Sequence, residues 1–229
     1  MSKLIDLINN NKLTLIVSLP ENDLEMAEAA FAAGADALQL LLNMREFNTI
    51  DQERKTIINI LKIVEAPIGI SIGSHKDLHK KELNEIEKLG FDYINIGVEH
   101  LSPDLLKSKK LARVLSLNSR YTLDELIELT HNSFQAVDAA IIPTADPETD
   151  LVVGDLQSYI SIILSANLPV IIPTQRHIRP SEVSIIADTG AKGLLLTKTV
   201  LGTTAKHVAD AVCKFKTAID EMGGESLTH

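Results

Sequence analysis

The sequence predicts an α/β fold, a single (β/α)₈ barrel, and three observations favour it. Eight short runs of strand type alternate along the chain with amphipathic runs of helical length. Such alternation implies parallel strands joined by helices. The chain has 229 residues, a usual size for one barrel, and 45% of them are hydrophobic with only 3% aromatic, which suits an aliphatic core.

The predicted elements begin with a short helix at residues 4–10, which we expect to cover the lower end of the barrel. The predicted strands are residues 13–18, 37–42, 68–72, 93–98, 113–117, 137–142, 170–173 and 193–197. The barrel is expected to fill residues 1–223, and residues 224–229 form a C-terminal tail.

Helix-end signals agree with these boundaries. Thr122 and Glu125 match a capping box, in which each side chain satisfies a free backbone amide of the other. Gly34, Gly90 and Gly190 each stand between a helical run and a strand. Glycine in the left-handed conformation commonly closes a helix at such a position.

The bulk composition excludes several classes of partner. The net charge of −9 disfavours nucleic acid and anionic membrane surfaces. There is no run of about 18 apolar residues of the kind that spans a bilayer. Asp6 stands where a signal peptide needs an apolar core, and the one cysteine, Cys213, rules out an internal disulfide and is expected to be buried. We therefore expect a cytoplasmic protein, and homo-oligomer formation stays open.

Small and polar residues concentrate at the carboxyl ends of the predicted strands, where barrels bind ligands. A barrel filled only for stability would carry branched apolar residues there. The polar positions predict a pocket, and the alternative is a polar interior satisfied by buried water. The candidate ligand-binding residues on strands one to five are Ser18, Gln39, Asn43, Ser71, Asn95, Asn118 and Arg120.

Glu99 is the first candidate for acid/base catalysis. Alternation along strand four places Asn95, Gly97 and Glu99 inside the barrel. A carboxyl group partly desolvated at the mouth would have a raised pKa. The alternative is an ion pair with a neighbouring Lys or Arg.

Histidines near the third and fourth strands are possible metal ligands. His75 and His79 are four residues apart, as in some metal-binding helices. Lys76, Lys80 and Lys81 surround them and disfavour a cation. We expect no metal and no cofactor, and His75 is interpreted as a ligand-binding residue.

The ends of the last two strands carry cationic side chains. Arg176 and His177 precede a helix and suit a phosphate or carboxylate, although Arg176 could instead pair with an acid. Thr174 and Gln175 stand beside them. Lys198 could form a Schiff base, contact an anion or extend into solvent.

The loop after strand two contributes one further candidate. Arg45 lies in this long loop and is a candidate substrate clamp.

Three stretches of the chain resemble the ribulose-phosphate-binding barrel superfamily of TIM barrels, which includes sugar-phosphate epimerases and isomerases. The stretches are Gly34-Ala35-Asp36-Ala37-Leu38, Leu168-Pro169-Val170-Ile171-Ile172 and Gly190-Ala191-Lys192-Gly193-Leu194-Leu195-Leu196. The resemblance implies phosphate binding after strands seven and eight. The glycine-rich turns usual there are replaced here by Thr174-Gln175-Arg176-His177 and Thr197-Lys198-Thr199. Any anion would therefore be bound by side-chain charge.

The functional prediction is a metal-independent isomerase or epimerase that moves a proton next to a carbonyl of a small anionic metabolite, a phosphate or carboxylate. Glu99 would transfer the proton, while Arg176, His177 and Lys198 would hold the anion. Two alternatives stay open. One is a Schiff-base aldolase or lyase that uses Lys198 as a catalytic residue, and the other is a non-catalytic ligand-binding barrel or scaffold.

Overall fold

Eight parallel strands close into a barrel in chain order, and the last strand pairs with the first. This is seen in a computed structural model that describes residues 2–43, 49–73, 80–131, 133–143 and 149–224. The strands are β1 Thr14–Ser18, β2 Ala37–Leu42, β3 Ile68–Ile72, β4 Tyr93–Gly97, β5 Ala112–Ser116, β6 Ala136–Asp138, β7 Val170–Pro173 and β8 Gly193–Leu196. The predicted (β/α)₈ barrel is confirmed.

Helices follow the strands and form the outer ring of the barrel. They are α1 Lys3–Asn10, α2 Leu24–Ala32, α3 Ile50–Ile63, α4 Lys80–Leu89, α5 Pro103–Lys107, α6 Leu123–Thr130, α7 Val153–Ala166, α8 Val183–Asp188, α9 Lys198–Leu201 and α10 Ala205–Gly224. The predicted capping box is present at α6, where Glu125 and Thr122 exchange hydrogen bonds. The three predicted glycines have φ between +91° and +103°.

Helix α1 closes the amino end of the barrel, as the sequence predicts. Leu4 and Ile8 are fully buried against inward-facing side chains such as Ile16. The Asp92 carboxylate fixes the start of α1, because it accepts hydrogen bonds from Ser2 Oγ (2.6 Å) and the backbone N–H groups of residues 3 and 4 (both 2.9 Å). An acid at a helix N-terminus also interacts favourably with the helix dipole.

The lower half of the barrel interior is packed with apolar side chains. The Tyr93 ring lies against Gly69, where a Cβ atom would come within 2.2 Å of the ring. Its hydroxyl donates to the Leu38 carbonyl at 2.9 Å, which satisfies the buried donor. The barrel interior is therefore closely packed below the middle of the strands.

Two details differ from the sequence predictions. Cys213 is exposed on α10 rather than buried, since it lies on the outer side of that helix. Strand β6 ends at Asp138, whereas the apolar run continued the prediction to residue 142. In the described part of the chain, no helix has both the length and the apolar composition that a membrane crossing needs.

Candidate functional site

A layer of polar side chains crosses the interior of the barrel above the apolar packing. Ala37, Tyr93 and Ala136 belong to the inner apolar cluster. Side chains alternate along a strand, so the residues two positions later on β2, β4 and β6 also face inward. Those residues are Gln39, Asn95 and Asp138, and each is at most 4% exposed.

Asn95 connects this layer through its amide nitrogen. Asn95 Nδ2 donates to Asp138 Oδ2 at 2.7 Å and to Gln39 Oε1 at 3.2 Å. Asp138 Oδ1 and Asn95 Oδ1 are buried and accept no hydrogen bond from any of the described residues. Buried acceptors are normally paired, so the layer offers two oxygens to a donor from outside it.

Burial shifts the charge state of Asp138. Loss of solvation raises the pKa of its carboxyl from 3.8 to about 6, while hydrogen bonds from Asn95 and Ser116 act in the opposite direction. A carboxyl group with this pKa exchanges its proton close to neutral pH, as a general acid or base requires. Asp138 is therefore the strongest acid/base candidate among the described residues.

Three serines lie at the level above this layer. Ser18 ends β1, Ser71 lies on β3, and Ser116 ends β5. Their side chains are small and can donate hydrogen bonds. Asn43 follows β2 and is buried, with a φ of +53° that asparagine tolerates better than most residues. The structure thus links two predicted residues, Gln39 and Asn95, to Asp138 by hydrogen bonds, and the predicted Ser18, Asn43 and Ser71 are also buried toward the carboxyl ends of their strands.

Glu99 lies elsewhere than its alternation predicts. Strand β4 ends at Gly97, and Glu99 follows in a 3₁₀ turn at Val98–His100 with its side chain 47% exposed. Side chains alternate between the two faces only within the strand, so the prediction that Glu99 points into the barrel and is desolvated there is wrong. The Glu99 carboxylate nevertheless folds back over Gly97, where a Cβ atom would come within 2.8 Å of Oε2. Gly97 faces inward, so this carboxylate stands at the rim of the mouth.

At the β7–β8 corner, the predicted residues hold loops in place. The Thr174 and Thr197 side chains connect the two strand ends, with Thr197 Oγ1 donating to the Thr174 carbonyl at 2.9 Å. Gln175 Nε2 donates to the Ile142 carbonyl at 3.1 Å, and its Oε1 accepts from the Ile142 N–H at 3.0 Å. The side chains of Thr174 and Gln175 therefore form hydrogen bonds with backbone groups of the protein.

Arg176 forms an ion pair with Asp155 in the first turn of α7. The distances are 3.0 Å from Nε to Oδ2 and 3.4 Å from Nη2 to Oδ1, and the side chains are 17% and 9% exposed. The sequence had left open a pairing with an acid, and the structure contains it. The guanidinium that the sequence predicts to hold an anion lies against this carboxylate.

The remaining candidates lie at or beyond the rim. His177 and Lys198 are exposed, and Lys198 begins the short helix α9. Asn118 accepts from the Arg120 N–H at 2.9 Å. Both line a groove of about 420 Å³ that Glu99 and Ser116 also border. Arg45 and His75 lie outside the described residues.

Among the described residues, neither metal-ligand groups nor the groove at the amino end of the barrel provides a second candidate site outside the polar layer. Within the described ranges, no three His, Cys, Asp or Glu side chains are grouped closely enough to share a metal ion. A groove of about 880 Å³ lies at the amino end of the barrel beside α1. Arg113 lines this groove, and its guanidinium donates hydrogen bonds to the carbonyls of Ser108 (2.7 Å) and Ser133. This groove is therefore at the end of the barrel opposite to the acid/base candidate.

Sequence reasoning did not single out Asp138. The residue stands in the run Ala136-Val137-Asp138-Ala139-Ala140-Ile141-Ile142, which was interpreted only as a strand. An acid inside an otherwise apolar strand was the available signal, since a charged residue is rarely buried without a partner or a role.

No family model and no curated protein matches this chain. Among solved structures, phosphoribosyl anthranilate isomerase from Thermus thermophilus aligns with a TM-score of 0.69 at 14% identity, over 92% of this chain and 100% of the other. Tryptophan synthase from Mycobacterium tuberculosis aligns at 0.68 and 14%, over 94% and 96%. A structure described as native KDPGal aligns at 0.67 and 18%, over 94% and 98%. These likenesses and the closed eight-stranded barrel show that the fold is a TIM barrel.

Proposed function

We propose that this protein is an enzyme that moves a proton on a carbon atom next to a carbonyl, as sugar-phosphate isomerases and epimerases do. Asp138 is the proposed acid/base. The observation that carries the proposal is its buried carboxyl, which has a pKa raised to about 6 and an Oδ1 atom that no described residue pairs. Such a group is tuned by its surroundings to exchange a proton near neutral pH.

The proton transfer follows from the two oxygens of Asp138. Oδ2 accepts from Asn95 Nδ2, which fixes the carboxyl plane and favours its ionised form. In the ionised form, Oδ1 takes a proton from the substrate carbon, and the carbonyl becomes an enolate. In an isomerase, the neutral acid returns the proton to the neighbouring carbon while the proton of the substrate hydroxyl moves to the former carbonyl oxygen. In an epimerase, Asp138 keeps the proton it has taken and a second acid delivers another proton to the opposite face of the same carbon.

The polar layer also favours a particular kind of substrate. Asn95 Oδ1 and Asp138 Oδ1 are both acceptors, so the part of the substrate that reaches them carries a hydrogen-bond donor. A hydroxyl group next to the carbonyl meets this need. In this proposal the Ser18 and Ser71 hydroxyls donate to the enolate oxygen, where developing charge needs stabilising donors.

The rim supplies the remaining roles in the proposal. The Glu99 carboxylate over Gly97 is a second acid/base for the opposite side of the substrate. Lys198, which begins α9 two residues after the end of β8, is proposed to contact the anionic group of the substrate. Arg176 is given no role in substrate binding here, because its guanidinium forms an ion pair with Asp155.

Similar structures support the class of reaction and leave the substrate open. One of them is named as an isomerase of a phosphoribosyl compound. The Schiff-base alternative needs a desolvated lysine, and the exposed position of Lys198 offers no desolvation. We therefore prefer proton transfer by Asp138 to covalent chemistry by Lys198.

The test is proton exchange in D₂O. The protein is incubated with a panel of pentose and hexose phosphates and hydroxy-keto acids, and loss of the carbon-bound proton is followed by ¹H NMR. We expect exchange with one compound or a related group, and a decrease of at least about 10²-fold in Asp138→Asn, the usual contribution of a general base.

Controls separate catalysis from binding and folding. Arg113→Lys, at the opposite end of the barrel, is expected to exchange like the wild type. Thermal-shift measurements on the same panel detect ligands, because a ligand of the folded state raises apparent stability. A ligand that binds without exchange would overturn the enzymatic proposal in favour of a binding barrel, and exchange that survives in Asp138→Asn would remove Asp138 from its role.

A further inference from the structure

The outward face of α7 is apolar, which is unusual for the outer ring of a barrel. Val153, Gln157, Ile160 and Leu164 are exposed and follow a spacing of four, three and four residues, so they form one stripe along the helix. Leu164 is 77% exposed and Val153 is 71% exposed. A helix that packs one face on a barrel normally carries charged residues on the opposite face.

The apolar surface extends to the neighbouring helix. Helix α6 packs beside α7, so their exposed side chains share one outer surface. In the described part of the chain, eleven large hydrophobic side chains are exposed, and six of them belong to this surface. The six are Leu123, Ile127, Val152, Val153, Ile160 and Leu164, and we call this set the α6–α7 face.

Charge is also distributed unevenly between this face and the rest of the chain. Asp155 is the one charged residue in the sequence of α7, and it is buried against Arg176. The Ser158 and Ser161 hydroxyls donate to the carbonyls of residues 154 and 157, at 3.0 and 2.9 Å. These donors are already satisfied, so the outward side of α7 can be covered without leaving them unpaired.

Gly154 supplies an independent observation. Its position is in the first turn of α7, and a Cβ atom there would meet nothing within 4 Å. Glycine weakens a helix by about 1 kcal/mol relative to alanine, and no contact within the described chain requires it here. A glycine without an internal reason is consistent with close approach of another molecule.

We propose that the α6–α7 face is covered by a second copy of this chain, in a two-fold symmetric dimer. Each copy carries a net charge of −9, so two copies repel one another over most of their surfaces. An uncharged apolar face is where two such chains can meet without bringing like charges together. A two-fold interface also needs a self-complementary surface, which an apolar stripe provides.

The dimensions of the two helices set the size of the contact. Helix α7 has 14 residues and is about 21 Å long, α6 has 8 residues and is about 12 Å long, and each is about 10 Å wide, so together they present a flat area of roughly 330 Å². A standard interface takes roughly 800 Å² of accessible surface from each partner, so the dimer contact also includes the rim residues around the two helices. Antiparallel packing of α7 on its copy places Val153 of one chain near Leu164 of the other, with Gln157 close to the axis, where two amides can pair.

The acids of α6 mark the rim of the interface. Asp124 and Glu128 are exposed on that helix. Like charges at a rim lower affinity and are screened by salt, so we expect association to strengthen as salt concentration increases. This inference does not rest on the proposed enzymatic function.

The test is the mass of the protein in solution, measured by sedimentation velocity and light scattering over a range of concentrations. We expect a species of twice 25.0 kDa. Leu164→Glu places a charge in the covered stripe and is expected to raise the dimer Kd at least about tenfold. The matched control is Ile63→Glu, a similar change at an exposed isoleucine on α3, which should leave the dimer intact.

A second variant separates contact from folding. Gly154→Gln adds bulk where the single chain has open space, so it should keep or raise the thermal stability of the monomer while raising the dimer Kd. A wild type of 25.0 kDa at every concentration overturns the proposal. So does a dimer that is unaffected by both Leu164→Glu and Gly154→Gln, or one that Ile63→Glu disrupts equally.

Discussion

Asn95 Nδ2 donates a hydrogen bond to Asp138 Oδ2 over 2.7 Å, across the interior of the barrel. The two residues lie on β4 and β6, which are separated in the sheet by β5. A contact between alternate strands is the arrangement in which the inward side chains of such a barrel form layers. This bond and the burial around it determine how readily Asp138 holds a proton.

The stability of the protein should depend on the protonation of Asp138. Its folded-state pKa of about 6 lies above the usual 3.8, so the folded state binds this proton more tightly than the unfolded state. The favourable contribution is complete below pH 3.8 and is lost as the pH rises through about 6. A shift of this size corresponds to about 3 kcal/mol in the free energy of unfolding.

Denaturant unfolding of the wild type and Asp138→Asn from pH 4 to pH 8 measures this dependence. The variant keeps a neutral side chain at every pH, and the other titrating groups are shared. We expect the wild-type stability minus the variant stability to decrease by about 2 kcal/mol over this range, because part of the effect lies below pH 4. A constant difference would mean that the pKa of Asp138 is not raised.

Removal of the Asn95 amide should raise the pKa of Asp138 further. Its hydrogen bond favours the ionised carboxylate, and Asn95→Leu replaces the donor with an apolar side chain of similar size. We expect the pKa to rise by about one unit or more, the usual worth of a hydrogen bond to a charged group. Carbon-13 NMR titration of labelled aspartate measures it, and Ser116→Ala should shift the pKa in the same direction. A pKa that stays at about 6 would show that burial alone sets it.

The fold could be predicted from the sequence because it depends on local patterns repeated eight times. Strand β3 has its predicted bounds, and the helix-ending glycines have the positive φ expected of them. Each unit needs only alternation of apolar residues and a suitable turn, and closure follows from the number of units.

The site could be predicted only where a residue lies within a regular strand. Asn95 faces inward, as its alternation predicts, whereas Glu99 lies two residues beyond the end of β4, where the alternation no longer applies. The pairing of Arg176 with Asp155 joins residues 21 positions apart through the packing of α7, and no local pattern contains that information. The pKa of Asp138 likewise depends on burial, which the interior as a whole determines.

The Arg176–Asp155 pair predicts a structural effect of mutation. Arg176→Ala leaves the buried Asp155 carboxylate without this partner, so we expect a loss of about 3 kcal/mol in the free energy of unfolding. Arg179, which is 53% exposed and pairs with Asp150 at 3.2 Å, serves as the control, and Arg179→Ala should cost less than about 1 kcal/mol. Urea denaturation of both variants measures the difference. If Arg176→Ala kept its stability and instead lost binding of a phosphate compound, Arg176 would return to the role of an anion ligand.

The position of Glu99 over Gly97 gives a test that leaves the carboxyl group itself unchanged. Gly97 has φ −70° and ψ 148°, a conformation open to alanine, and the atoms that a Cβ would meet are the flexible end of the Glu99 side chain. Gly97→Ala should therefore alter the free energy of unfolding by less than about 1 kcal/mol while moving the carboxylate from the rim. If Glu99 exchanges a proton with the substrate there, Gly97→Ala and Glu99→Gln should both lower the rate of deuterium incorporation in D₂O. Full exchange in Glu99→Gln would exclude the carboxylate from proton transfer, and loss in Gly97→Ala alone would indicate that the alanine methyl group obstructs the mouth.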